Sequence, residues 1–350
     1  MSRATRARCR LALLSCILGC FFSALLAVPG IAQAPVKLKV VLNFQADGAL
    51  GGFYQALDRG YYREAGLDVS FDFSTGSADA ITRMASGNYD IGVGDIATLV
   101  EFAAKNPDPA PRAVFLLYSK SPAAIIAFKA SGIAKPSDLH GRILGQGPGD
   151  AASRLFPALA RLAGVDIERV ERKQITPRLR DSMLLTRQVD AVTGFDHTVW
   201  FNLKIAGTKF EDVNIVYYAD YGLDVYGNAI LASRKLLQSD PDLVARFVRA
   251  SVRGWREAIA DPKMGVSSLP RFNQFAQLDL EAERLDWLGS RLIVTPYTRR
   301  EGIGAFDPAR LADNIKQVAS AFGLDHAPAL ADIYDDRFLP GRDERLPLNQ

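Results

Sequence analysis

Cysteine is missing from all but the first twenty residues of this 350-residue chain, where Cys9, Cys16 and Cys20 sit. The rest has no thiol, which excludes a disulfide framework, a thiolate nucleophile and a sulfur-ligated metal there. Histidine is nearly as scarce. His140, His197 and His326 have no spacing that suits zinc, and no serine occupies a nucleophile elbow, so no metal, cofactor or catalytic residue is expected. A charge excess is lacking too, although the formal net charge of +3 hides it. Arg3, Arg6, Arg8 and Arg10 are the only charged residues before Pro35; without them 38 of the 42 basic residues face 39 acidic ones, a net of −1. No basic run exceeds two or three residues, which removes nucleic acid and anionic membrane surfaces as expected partners.

What is present begins with a leader. The four arginines precede an apolar run over residues 11–28, and small residues follow at Gly30, Ala32 and Ala34. This pattern reads as a secretory signal peptide over 1–34 and predicts a periplasmic protein. Pro35 fits poorly after a scissile bond, which favours cleavage after Ala32 over Ala34. An uncleaved anchor is the alternative, since eighteen residues just cross a bilayer. Ile17-Leu18-Gly19-Cys20 also reads as a lipoprotein processing box, yet the chain stays apolar to Val28 instead of turning into a polar tether.

The 316 or so residues that follow exceed what one core usually serves, so two lobes are expected. Residues 37–42 read as a strand, Asp47-Gly48-Ala49-Leu50-Gly51-Gly52 as a turn too small-chained to fill the space above it, and 53–65 as one helix closed by Gly66. Leu67-Asp68-Val69-Ser70-Phe71 resumes a period of two. Strand and helix signals then alternate: helix from Ser77, strand 89–93, helix 96–105, strands 113–118 and 123–128. A second unit repeats the plan with helix 151–162, strand 189–193 and a helix after Phe195. Asp90 and Asp190, and Asp95 and Asp196, fall at matching places in the two units, a weak internal repeat. Residues 228–233 read as a strand returning to the first lobe, and 241–259, 278–292 and 308–322 as amphipathic helices. The expected lobes are therefore 36–125 plus 226–350, and 126–225, joined by crossings near Ser121 and Tyr226 that make a hinge.

Ligands of open parallel sheets sit beyond the carboxyl ends of the strands, which singles out the loops there. Asp47, Asp95, Asp150 and Asp196 fall in such loops. Turned into a cleft they would repel an anion and bind an amine or aminopyrimidine; turned back they would be helix N-caps. Phe44, Phe195 and Tyr226 lie at strand ends or the crossing and suit a flat ligand, whereas Tyr54 and Trp200 lie within helices and are expected in the core. Gly76-Ser77 and Gly149 to Ser153 begin helices with small side chains and free amides. Asn228 beside Gly227 either reaches the cleft or shapes a turn, and His197 is expected to be solvated.

Residues 42–69, with Gly52-Phe53-Tyr54, Gly60-Tyr61-Tyr62 and Gly66-Leu67-Asp68-Val69, resemble the opening of the NMT1/THI5-like periplasmic solute-binding proteins, which include thiamine-pyrimidine-precursor, sulfonate, taurine and nitrate binders. Gly87-Asn88-Tyr89-Asp90-Ile91-Gly92, Asp138-Leu139-His140-Gly141-Arg142 and Val189-Asp190-Ala191-Val192 extend the resemblance over residues 37–235. It implies a type II Venus-flytrap α/β fold, each lobe a mixed sheet flanked by helices. It also implies a small-molecule ligand clamped between lobes and delivered by a monomer to an ABC permease of the inner membrane. The opening loop is most similar to the pyrimidine-precursor subgroup, but Phe44 replaces its tryptophan and Leu50 its histidine. A polar aromatic or amine-bearing ligand is the leading expectation. An anion binder and an enzyme on the same fold are the alternatives.

Overall fold

The computed structural model describes residues 34–348. Residues 1–33 of the expected signal peptide, with the three cysteines and the lipidation box, lie outside the described residues. Among the described residues, ten strands form two sheets: β1 (Val36–Leu42), β2 (Leu67–Phe73), β3 (Ile91–Asp95), β4 (Arg112–Leu116), β5 (Ala123–Phe128), β6 (Ile143–Gln146), β7 (Glu171–Gln174), β8 (Ala191–Phe195), β9 (Val213–Tyr217) and β10 (Asn228–Ala232). The first sheet has the order β2-β1-β3-β10-β4 and the second β7-β6-β8-β5-β9. In each, three parallel strands are followed by an antiparallel one borrowed across the crossing, β10 in the first sheet and β5 in the second. The repeat glimpsed as paired aspartates is thus a shared topology.

Strand β5 lies wholly in the second sheet, so the lobe boundary expected at residue 125 falls inside a strand. The reason is hydrogen bonding: Ala123 already pairs with Phe195, and Ala124 with Tyr217. Chain passes between the sheets over residues 117–122 and 218–227. The longer helices are α1 (Gly51–Asp58), α2 (Ser77–Ala85), α3 (Ile96–Lys105), α4 (Ala151–Leu162), α5 (Pro177–Leu185), α6 (Asp196–Ile205), α7 (Pro241–Ala260), α8 (Leu278–Leu288) and α9 (Pro308–Phe322). The helix expected over 53–65 is broken, because Gly60 takes a left-handed φ of 75° and ends α1 early.

Both faces of the first sheet are covered. Val40 and Leu42 join a core with α1 and α7, while Val41 faces Ile81 and Val100 on the other side. Gly52 is where α1 meets α7: a Cβ there would lie 2.1 Å from the Trp255 ring. Gly51 and Gly52 of the small-chained turn thus serve helix packing, whereas Asp47, Ala49 and Leu50 of the same turn line the cavity described below. Helix α8 belongs to the same core through Ala282, Leu285 and Leu288, yet its Trp287 packs with Phe201 of the second sheet's cluster and with the exposed Phe210. The tail thus straps the two halves together.

Candidate functional site

The carboxyl ends of β1, β2, β6 and β8 face one another across a cavity with about 480 Å³ of empty space, part of it open to solvent. From the first sheet come Asn43, Phe44, Asp47, Leu50, Gly76, Ser77, Tyr118 and Asn228; from the second come Asp150, Ala151, Arg180, Phe195, His197 and Thr198. Phe44 and Phe195 are partly buried rings on opposite sides. Over the cavity the two halves touch backbone to backbone, Ala78 N donating to Gly149 O at 3.3 Å. Gly76 makes that approach possible, with φ of 151° and a position whose Cβ would meet Gly149 O at 2.1 Å.

Seven of the ten expected site residues line this cavity: Phe44, Asp47, Gly76, Ser77, Asp150, Phe195 and Asn228. Asp95, Asp196 and Tyr226 do not. Asp95 caps α3, its Oδ1 accepting from Ala97 N at 3.0 Å and Thr98 N at 3.2 Å, and complete burial pushes its pKa up to about 7. Asp196 turns away and accepts from Tyr217 Oη at 2.9 Å and Trp287 Nε1 at 3.0 Å. Burial pushes its pKa up, but hydrogen bonds from His197, Trp287 and Tyr217 outweigh it and hold the carboxyl below its ordinary value. Tyr226 packs on Phe306, centroids 5.2 Å apart, and its hydroxyl accepts from Asp307 N at 3.1 Å.

Sequence reasoning missed the two arginines that compensate the cavity aspartates. Arg180 of α5 is 1% exposed. Its Nη1 donates to Asp150 Oδ2 at 2.7 Å and Thr193 O at 3.3 Å, and its Nε to Asp181 Oδ1 at 2.9 Å. Burial raises the pKa of Asp150 despite this arginine. Arg284 of α8 is equally buried. Its Nη1 lies 3.5 Å from Asp47 Oδ2 and donates to His197 O at 3.1 Å, while Nη2 donates to Asn202 Oδ1 at 3.0 Å and Glu281 Oε1 at 3.2 Å. Glu281 in turn accepts from Gly48 N at 2.7 Å, and burial raises its pKa. With every group ionised, each trio of one arginine and two carboxylates sums to −1, so each arginine offsets one of its two carboxylates. His197, expected in solvent, is 2% exposed and lies 5.7 Å from the Tyr118 ring, centroid to centroid.

A family model described as "NMT1/THI5 like" matches residues 49–264. The chain is 26% identical over 330 residues to the riboflavin-binding protein RibY of Chloroflexus aurantiacus, covering 90% of this chain and 88% of the relative. It is 26% identical over 242 residues to the formylaminopyrimidine-binding protein of Halalkalibacterium halodurans, covering 68% and 71%. Its fold is that of the alkanesulfonate-binding protein SsuA of Xanthomonas axonopodis pv. citri bound to MOPS. The TM-score is 0.64 at 14% identity, over 86% of this chain and 98% of the other.

Proposed function

The chain belongs to the NMT1/THI5-like family, and from that premise we propose that it is the exported, non-enzymatic binding component of an ABC importer for a flat, nitrogen-containing heterocycle. The observation that carries this reading is that Phe44 and Phe195, from different sheets, line one cavity together with Asp47, Asp150 and Asn228. Two rings from opposite halves make their stacking contacts together only when the halves meet, so ligand affinity is coupled to closure. The relatives named for riboflavin and formylaminopyrimidine support a heterocycle, and a pyrimidine precursor of thiamine is the lead. The lobes, in this reading, are the two sheets with their helices, moving about residues 117–122 and 218–227. An inner-membrane permease receives the closed form.

Native mass spectrometry of freshly purified protein, followed by calorimetric titration with an aminopyrimidine, riboflavin, taurine and nitrate, tests the assignment. Binding of a heterocycle without turnover is expected. Binding confined to the anions, or chemical conversion of a heterocycle, would refute it. Sequencing the amino terminus of periplasmic material tests export, with cleavage after Ala32 expected.

A further inference from the structure

Two residues that line the cavity, one from each side, each carry a buried polar atom without a partner. Arg180 spends Nε on Asp181 and Nη1 on Asp150 and Thr193, which leaves Nη2 buried and unpaired. Asn228, 3% exposed, has its Oδ1 buried and unpaired. Buried polar groups without partners are rare in folded proteins, and both residues line the same space. The first asks for an acceptor; the second asks for a donor. Asp95, the partner of Asn228 across the β3–β10 pair, adds another buried oxygen, Oδ2, without a partner.

Charge narrows the acceptor further. Arg180 is already matched by Asp150 and Asp181, so an incoming anion meets a local sum of −1 and gains no net attraction, whereas a neutral carbonyl gains a hydrogen bond without that repulsion. Resting on the reading of this cavity as a heterocycle site, we infer that the ligand presents a neutral carbonyl-type acceptor to Arg180 and an amino or ring N–H donor to Asn228. The two residues thereby fix the ligand's orientation as well as its class, because a ring turned over would set donor against donor and acceptor against acceptor.

Three pyrimidines make the test: cytosine with amino and carbonyl groups, 4-aminopyrimidine with the amino group alone, and unsubstituted pyrimidine with neither. Titration calorimetry on the wild type should rank them in that order. Arg180→Lys keeps the charge but loses the fork, and should weaken cytosine about ten- to hundredfold while changing 4-aminopyrimidine less than about threefold. Asn228→Ser should weaken both amino probes about tenfold. Equal binding of cytosine and 4-aminopyrimidine by the wild type overturns the Arg180 assignment, and needs no variant to fold. An Asn228→Ser protein that binds like the wild type overturns the donor half, and would mean that a protonated Asp95 satisfies Asn228 by itself. If all three pyrimidines fail while riboflavin binds, the site reading survives and riboflavin replaces them as probe, with loss on Arg180→Lys still required. Failure of every heterocycle refutes the site reading itself.

Discussion

Arg180 and Arg284 are both buried, and both hold two carboxylates beside one cavity, but they differ in what they join. All the partners of Arg180 sit on elements of the second sheet: Asp150 before α4, Asp181 in α5 and Thr193 in β8. Arg284 takes Asp47 and Glu281 from the first half and His197 O and Asn202 from the second. Separating the halves would leave the first network whole and tear the second. A buried ion network can therefore serve as a fixed part of a lobe or as a clasp between lobes, and only its connectivity tells which.

The largest expected effect comes from breaking the clasp. Arg284→Met strands Asp47 and Glu281 and should cost about 3–5 kcal/mol of unfolding free energy in urea melts. Adding Glu281→Gln should restore part of it, because burial already favours the neutral form of that side chain. Next is Gly76→Val, whose branched side chain would be forced against Gly149 O. Overpacking of about 1–3 kcal/mol should appear mainly as lost ligand affinity, measured by calorimetry, because opening relieves it.

Asp95 gives a pH test within one lobe. Its folded pKa of about 7 lies above the unfolded carboxylate range, so the folded state holds a proton that the unfolded chain has released. Stability contributed by this group is full below about pH 4 and is lost as pH rises to about 7, at up to roughly 1.4 kcal/mol per unit. Asp95→Asn, still able to cap α3, should flatten that slope in denaturant midpoints taken at pH 4, 5.5 and 8. The smallest effect is expected from Arg154→Ala. Arg154 pairs with Glu101 across the halves at 2.6 Å, but it is 37% exposed and Glu101 keeps Lys105, so the loss should stay under about 1 kcal/mol and fade with salt.

Much of the frame was legible in the chain, since period and punctuation are local properties. Helix α4 was expected at 151–162 and spans Ala151–Leu162; Asp150 caps it with a hydrogen bond to Ala152 N. Strand ends drifted: β3 and β8 begin two residues later than expected, with Asp90 and Asp190 just outside them, bonded to Ser233 and to Ile143 N. The cavity rings and Asp47 followed from their places at strand ends. Arg180 did not, because Arg178-Leu179-Arg180-Asp181 looks like a solvated helix face, and nothing local tells that Arg180 and Asp181 are buried. Arg284 three residues after Glu281 looks like an ordinary surface pair for the same reason. Tyr226 misled because an aromatic at a crossing has two ways to turn, and Phe306 lies far off in sequence.

The central claim is that two sheet-bearing lobes close on a flat ligand. Residues 36–350 contain no cysteine, so spin labels can be placed at Asn88→Cys and Gln188→Cys, exposed turns on opposite lobes, and the distance between them read by electron double resonance. Added heterocycle should collapse a broad distribution into one narrow population. A single distribution unchanged by ligand shown to bind would contradict the account.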